Sequence, residues 1–294
     1  MLSILIPIYN QPCLKLVRDL AGQAQNVGVC YEIICMDDCS TVTFEENKNI
    51  PEISGCRYIG LKKNIGRSKI RNSLAKEAKY DYLLFLDCDS KILRPDYIKI
   101  YMEYISQNIP VISGGRVYEK NPPKNIAYYF HWKYGTQREP KPEDGQGQVF
   151  MSNNFVIKKK ILEKIPFNKN ITRYGHEDSL FQMELHENGY DILFIDNPIV
   201  HIGLDESIDF LRKTRSGVFN LLELYKSGIL NETNVSRIKL LKTYIDLKKY
   251  KLRKLISLNY ILFHKQFEKN LLGKEPDLFI LDIYKLCYLA YLDK

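Results

Sequence analysis

At 294 residues, with 45% hydrophobic and 27% charged residues, the chain has the make-up of an ordinary globular protein and length enough for one large or two modest domains. That balance excludes disordered, collagenous and disulfide-stapled classes, and no run approaches the roughly 18 consecutive apolar residues of a membrane span. The net charge of +8 is uneven, since 17 Lys and Arg face 11 Asp and Glu from Asp205 onward.

In chain order, "MLSILIPIYN" is apolar without a basic leader or a small-residue cleavage site. It predicts a strand over 2–8 rather than a signal peptide, and with it a cytoplasmic location. Pro12 in "QPCLK" suits the first turn of a helix. Further strands are expected over 31–37, 57–61, 82–87 and 110–113, most of them separated by stretches of helical period. Pro95 and Asp96 in "RPDYIKIYMEYI" mark another helix start. This alternation predicts an α/β fold with a mainly parallel sheet. Residues 117–148 turn to Pro, Lys, Gly, Gln and aromatics with little periodicity, which predicts a long loop. "RYGHEDSLFQMELHENGYDILFIDNPIVHIG" predicts a glycine turn, an acidic helix from about Asp178 to Asn188, and two strands ending at His201. Everything after Asp205 reads as helix.

Within that helical tail, Val235–Lys254 carries eight basic residues against one acidic. Ile238, Leu241, Ile245, Leu252 and Leu255 recur there at helical spacings. A basic amphipathic helix over 235–256 is expected, suited to an anionic membrane surface or to packing on a neighbour. The seven cysteines, odd in number, fit reduced thiols. Cys30, Cys35 and Cys39 cluster without a C-x-x-C pair or a nearby His, so inert thiols are expected there rather than zinc.

The stretch "YDYLLFLDCDS" ends an apolar strand on Asp87 and Asp89. Asp favours turns, but Pro7 to Asn10 and the Asp37–Asp38 pair also fall after strands. Open parallel sheets bind ligands at the carboxyl ends of their strands, and converging carboxylates there suit a hard cation and an anionic ligand.

"SILIPIYN", "MDDCS", "NIGRSKIRN", "YLLFLDCDS", "YGHED" and "IVHIG", in this order, resemble glycosyltransferase family 2, inverting enzymes of the GT-A fold. The resemblance covers roughly residues 2 to 204, leaving 205–294 as a helical, partly basic C-terminal region. The "YGHED" block is similar to the acceptor-side motif of chondroitin polymerases and galactosyltransferases. Ile70, Lys79, Tyr80 and Asn168 depart from the family's usual residues, and the Q-x-x-R-W signature of processive synthases is absent.

The resemblance implies a nucleotide-sugar donor, a UDP-sugar, with a glycan or lipid-linked saccharide as acceptor, no role for nucleic acid, and Mn²⁺ or Mg²⁺ as cofactor. It implies that Asp89 and His201 hold the metal, that Asp87 and Cys88 lie along the nucleotide-sugar, and that Asp38, Pro7 and Tyr9 line the base. Arg71 would reach the base or pyrophosphate, where a guanidinium fork suits phosphate. Asp178, opening a helix whose amides favour its ionised form, would be the general base, with Glu177 orienting the acceptor.

Two alternatives stand beside this. A haloacid-dehalogenase-type phosphatase also ends a strand in Asp-x-Asp and would use Asp87 as nucleophile; Lys91 stands where that pattern prefers Thr or Val, and its late acidic pair is missing. A catalytically silent glycan- or membrane-binding module would keep the fold alone. Gly114 and Gly115 lack the rest of a dinucleotide fingerprint and suggest a close backbone approach. Trp132 and Tyr134 could stack on a sugar, and packing is the commoner use of such rings.

Overall fold

A computed structural model describes residues 1–139, 150–171 and 174–293. The described residues form two compact units, one from 1–119, 150–171 and 177–203, the other from 120–139, 174–176 and 204–293.

The first unit is built on a seven-stranded sheet. Its strands are β1 (Leu2–Ile8), β2 (Tyr31–Asp37), β3 (Cys56–Gly60), β4 (Tyr82–Leu86), β6 (Val111–Ser113), β8 (Asn154–Lys158) and β9 (Leu193–Phe194), in the order β3-β2-β1-β4-β8-β6-β9. Pairing is parallel except for β8, which runs antiparallel to both β4 and β6. The central strands are continuous apolar runs because both faces are covered. In β4, Leu84 and Leu86 enter one core with α1 (Leu14–Val27) and α3 (Tyr97–Ser106). Leu83 and Phe85 enter the other with α2 (Arg67–Glu77), α5 (Lys159–Lys164) and α6 (Glu177–Glu187). A smaller sheet, β5 (Ser90–Ile92), β10 (Ile199–His201) and β7 (Arg116–Val117), pairs His201 opposite Ser90.

The predicted strands and the acidic helix lie within a residue or so of their expected bounds. Pro12 and Pro95 precede their helices instead of opening them. The predicted loop 117–148 needs correction, since Ile126–Tyr128 form a 3₁₀ turn and α4 spans Tyr129–Arg138. Tertiary packing overrides its weak periodicity: Phe130 is fully buried edge-on to Phe210 at 5.0 Å, and His131 stacks on the same ring. Residues 140–148 of that loop lie outside the described residues.

The second unit is helical, with α7 (Ser207–Lys226), α8 (Glu232–Arg237), α9 (Lys239–Lys249), α10 (Arg253–Leu271) and α11 (Leu278–Leu292) beside α4. The single amphipathic helix expected over 235–256 is instead three pieces. It is interrupted at Ile238 and again at 250–252, where Lys251 takes a positive φ of 62°. Leu241 is fully buried while Leu255 is 58% exposed, so the predicted stripe faces two environments.

Candidate active site

β4 ends at Leu86, and its register with β8 sets Leu86 opposite Asn154. The turn that follows is therefore held from both sides: the Asp87 N–H donates to the Asn153 carbonyl at 3.2 Å, and the Ile202 N–H donates to the Asp89 carbonyl at 2.9 Å. The second contact follows from the β5–β10 pairing, which brings His201 Nδ1 to 3.5 Å from Asp89 Oδ1. Gly203 packs so tightly there that a Cβ would stand 2.2 Å from Asp89 Oδ2. Burial opposes charge on Asp89, but His201, with Arg67 and Arg116 farther off, outweighs it and holds the carboxyl below its ordinary range.

Arg71, on α2 and 3% exposed, donates to Asp87 Oδ1 at 2.6 Å and sits over the Phe167 ring. The residue expected to reach the base or pyrophosphate thus already clamps Asp87. Asp38 accepts the Ile65 and Gly66 N–H groups at 2.6 and 2.9 Å, pinning the turn into α2. Burial raises its carboxyl against those two amides. Pro7 is half-buried near the end of β1, and Tyr9 just past it is 46% exposed. Cys88 belongs to the hydrophobic core, where burial pushes its thiol well up. Cys88, expected along the nucleotide-sugar, thus turns its side chain into the core.

Two residues with positive φ, Gly175 (96°) and His176 (71°), turn the chain into α6. In its first turn Asp178 Oδ2 accepts the Ser152 N–H at 3.0 Å, leaving Oδ1 without a partner among the described residues. Burial, then Glu177 beside it, push the Asp178 carboxyl up; Arg71 and Ser152 pull it back only in part. Glu177 is 7% exposed, with Oε1 3.4 Å from Arg67 Nη1 and Oε2 unpartnered.

Buried polar atoms are normally hydrogen-bonded, so exceptions point to missing ligands or water. Among the described residues, all but one of the buried side-chain atoms without a partner belong to Ser68, Arg71, Asp89, Ser90, Asn153, Glu177 and Asp178. Ser68, Ser90 and Asn153 were not singled out from sequence. Small polar residues carry no motif, and a serine–asparagine pair before a strand reads as a turn.

For a divalent cation the donor set is short but suitable. Among the described residues no three His, Cys, Asp or Glu side chains converge as a metal cluster. The Asp89 carboxylate and the His201 imidazole are nevertheless adjacent, and Asp89 Oδ1 lacks a normal hydrogen bond. An oxygen and nitrogen pair fits Mn²⁺, and hard cations at phosphate sites commonly take few protein ligands, filling the rest with phosphate and water.

A family model described as glycosyl transferase family 2 matches residues 3–166, more than half of the chain. The chain belongs to glycosyltransferase family 2. This displaces the phosphatase alternative. An uncharacterized glycosyltransferase of Haemophilus influenzae is 33% identical over 110 residues, covering 37% of this chain and 35% of that protein. Chondroitin synthase of Escherichia coli is 31% identical over 122 residues, 40% of this chain and 17% of that protein. The chain thus matches well under half the length of either relative. Among solved structures, the mannosyltransferase PcManGT from Pyrobaculum calidifontis, in complex with GDP-Man and Mn²⁺, superposes with a TM-score of 0.57 at 12% identity over 100% of this chain and 87% of that one. S. aureus TarS 1-349 in complex with UDP-GlcNAc does so at 0.52 and 18% identity, over 99% and 91%. At such identities the likeness shows a common fold, the α/β fold of GT-A glycosyltransferases.

Proposed function

We propose that the protein is an inverting glycosyltransferase moving a sugar from a nucleoside-diphosphate donor, a UDP-sugar, to a hydroxyl of a glycan or lipid-linked acceptor, with Asp178 as general base. The observation that carries this reading is the Asp178 carboxyl: one oxygen is fixed by the Ser152 amide, the other is unpartnered, and the pKa is raised. A base fixed in direction, whose burial raises its proton affinity above that of an ordinary carboxylate, is suited to take the acceptor's proton as that hydroxyl attacks the anomeric carbon. Glu177, beside it with one free oxygen, orients the acceptor. Family membership and the nucleotide-sugars bound by PcManGT and TarS support the donor class.

Asp89 and His201 would hold Mn²⁺ or Mg²⁺, which when bound offsets the charge of the departing diphosphate. Arg71 holds Asp87 in place beside them. Asn153 lies between the two halves of the site: its carbonyl accepts from Asp87, and its neighbour Ser152 binds Asp178. A sugar between leaving group and base would meet its side chain.

Asp178→Asn keeps an oxygen for the Ser152 amide but cannot take a proton. Turnover should fall about 10²- to 10⁴-fold with donor affinity unchanged. A carboxylate whose folded pKa is raised favours folding most below that pKa and loses the contribution as pH rises through it. At neutral pH the Asn variant should therefore melt no lower than the wild type. The wild-type product, followed by NMR, should carry the anomeric configuration opposite to the donor's. Turnover near wild type in the variant, or a retained configuration, would overturn the assignment.

A further inference from the structure

We infer that the outward face of α10 is a docking surface for an anionic lipid bilayer. Exposed apolar side chains concentrate there: Leu255 is 58% exposed, Leu258 47%, Ile261 52% and Leu262 56%, with Tyr250 at 78% in the turn just before the helix. Leu255, Leu258 and Leu262 fall at i, i+3 and i+7, and at 3.6 residues per turn they share one face with Lys254, Lys265 and Lys269. The opposite face, with Tyr260 and Leu271, lies in the helical core. Glu268, the single acidic residue of α10, is turned inward, where it accepts from the Tyr284 hydroxyl at 2.9 Å and pairs with Arg215. What α10 itself turns outward is leucine, isoleucine and lysine, with none of its carboxylates.

That pairing selects the occupant. A second copy meeting this face two-fold would set lysines against lysines, which like charges disfavour. No helix among the described residues is long and apolar enough to cross a membrane, so α10 would lie on a bilayer rather than span it. Leucines entering the headgroup–acyl boundary, with lysine stems reaching back to anionic headgroups, suit such a face. The surface differs from the one expected at 235–256, because Leu241 and Tyr244 of α9 are committed to the core and α10 supplies the open leucines. If the acceptor is lipid-linked, as the proposed function allows, this face would hold the enzyme where its acceptor lies. Vesicle binding needs neither donor nor turnover, so it can fail or succeed independently of the catalytic reading.

The test uses the whole chain and phosphatidylcholine vesicles, plain or with about a third anionic phosphatidylglycerol, in co-sedimentation at low and raised salt. Binding should require the anionic lipid and weaken with salt. Two triple variants, Leu255→Gln/Leu258→Gln/Leu262→Gln and Lys254→Gln/Lys265→Gln/Lys269→Gln, should each bind about a hundredfold more weakly while keeping the wild-type melting temperature. Absence of binding at low salt overturns the inference, and so does binding that both variants retain. Self-association abolished by the leucine changes, without vesicle binding, would make the face a dimer interface instead.

Discussion

Asn153 is 4% exposed, and neither its amide nitrogen nor its oxygen has a partner among the described residues. Leaving such a group buried and unpaired costs about 1–3 kcal/mol, which the donor sugar's hydroxyls would recover on binding. A site built to hydrogen-bond a hydroxyl discriminates strongly against an analogue lacking it. Asn153→Ala should therefore lower kcat/KM for the best donor by about 10- to 100-fold, a loss of one or two hydrogen bonds, and leave affinity for the free nucleoside diphosphate unchanged. Donors deoxygenated at single positions give the check: one of them should be poor for the wild type and no worse for the variant. Equal losses across every donor and for the free nucleotide would mean that Asn153 only shapes the turn.

At the scale of elements, the helical unit gathers three of its helices on one carboxylate. Asp293, just past α11, accepts from the Tyr244 hydroxyl at 2.6 Å and Lys248 Nζ at 2.7 Å on α9, and pairs with Lys226 Nζ of α7 at 3.0 Å. Burial opposes its charge, but these donors prevail and hold its carboxyl well below the usual range. A depressed carboxylate pKa gives stability that is present above the unfolded value of about 3.9 and fades as pH falls toward the folded one. With both lysines nearly half exposed, solvent screens part of the gain. Asp293→Asn should cost about 2 kcal/mol at neutral pH, and the gap should narrow as pH drops below about 4. Denaturant unfolding across pH measures this directly. A difference that does not change with pH would locate the effect in packing.

For the whole molecule, a ligand that binds only the folded state raises stability by about 2.7 kcal/mol at one hundred times its dissociation constant. The cognate nucleotide-sugar with Mn²⁺ should therefore raise the melting temperature by several degrees. Excess chelator should abolish most of that shift, as should Asp89→Ala, if the adjacent Asp89 and His201 side chains hold the metal as proposed. An equal shift in chelator would remove the metal from the donor site. Across a panel of nucleotide-sugars the same measurement identifies the donor.

The sequence by itself determined the elements whose signals are local. The strands at 2–8, 31–37 and 82–86 are apolar runs that only a doubly covered sheet can bury, and the turn and acidic start of α6 are written in adjacent residues. It also singled out Asp87, Asp89 and Asp178 as candidates, because strand ends and helix starts are where an α/β sheet places chemistry, and His201 through the family resemblance. Tertiary structure decided what meets what. His201 reaches Asp89 through a strand pairing across more than a hundred residues, Arg71 turns to Asp87, and Cys88 turns to the core. Periodicity marks which face of a helix is apolar but not what covers it. Leu241 and Leu255 belonged to one predicted stripe, yet the break at 250–252 buried the first and left the second open, and α4 arose in a segment without a stripe because Phe210 offered its rings a surface. Local propensity is set by a few neighbours, whereas these outcomes depend on contacts between segments far apart in the chain.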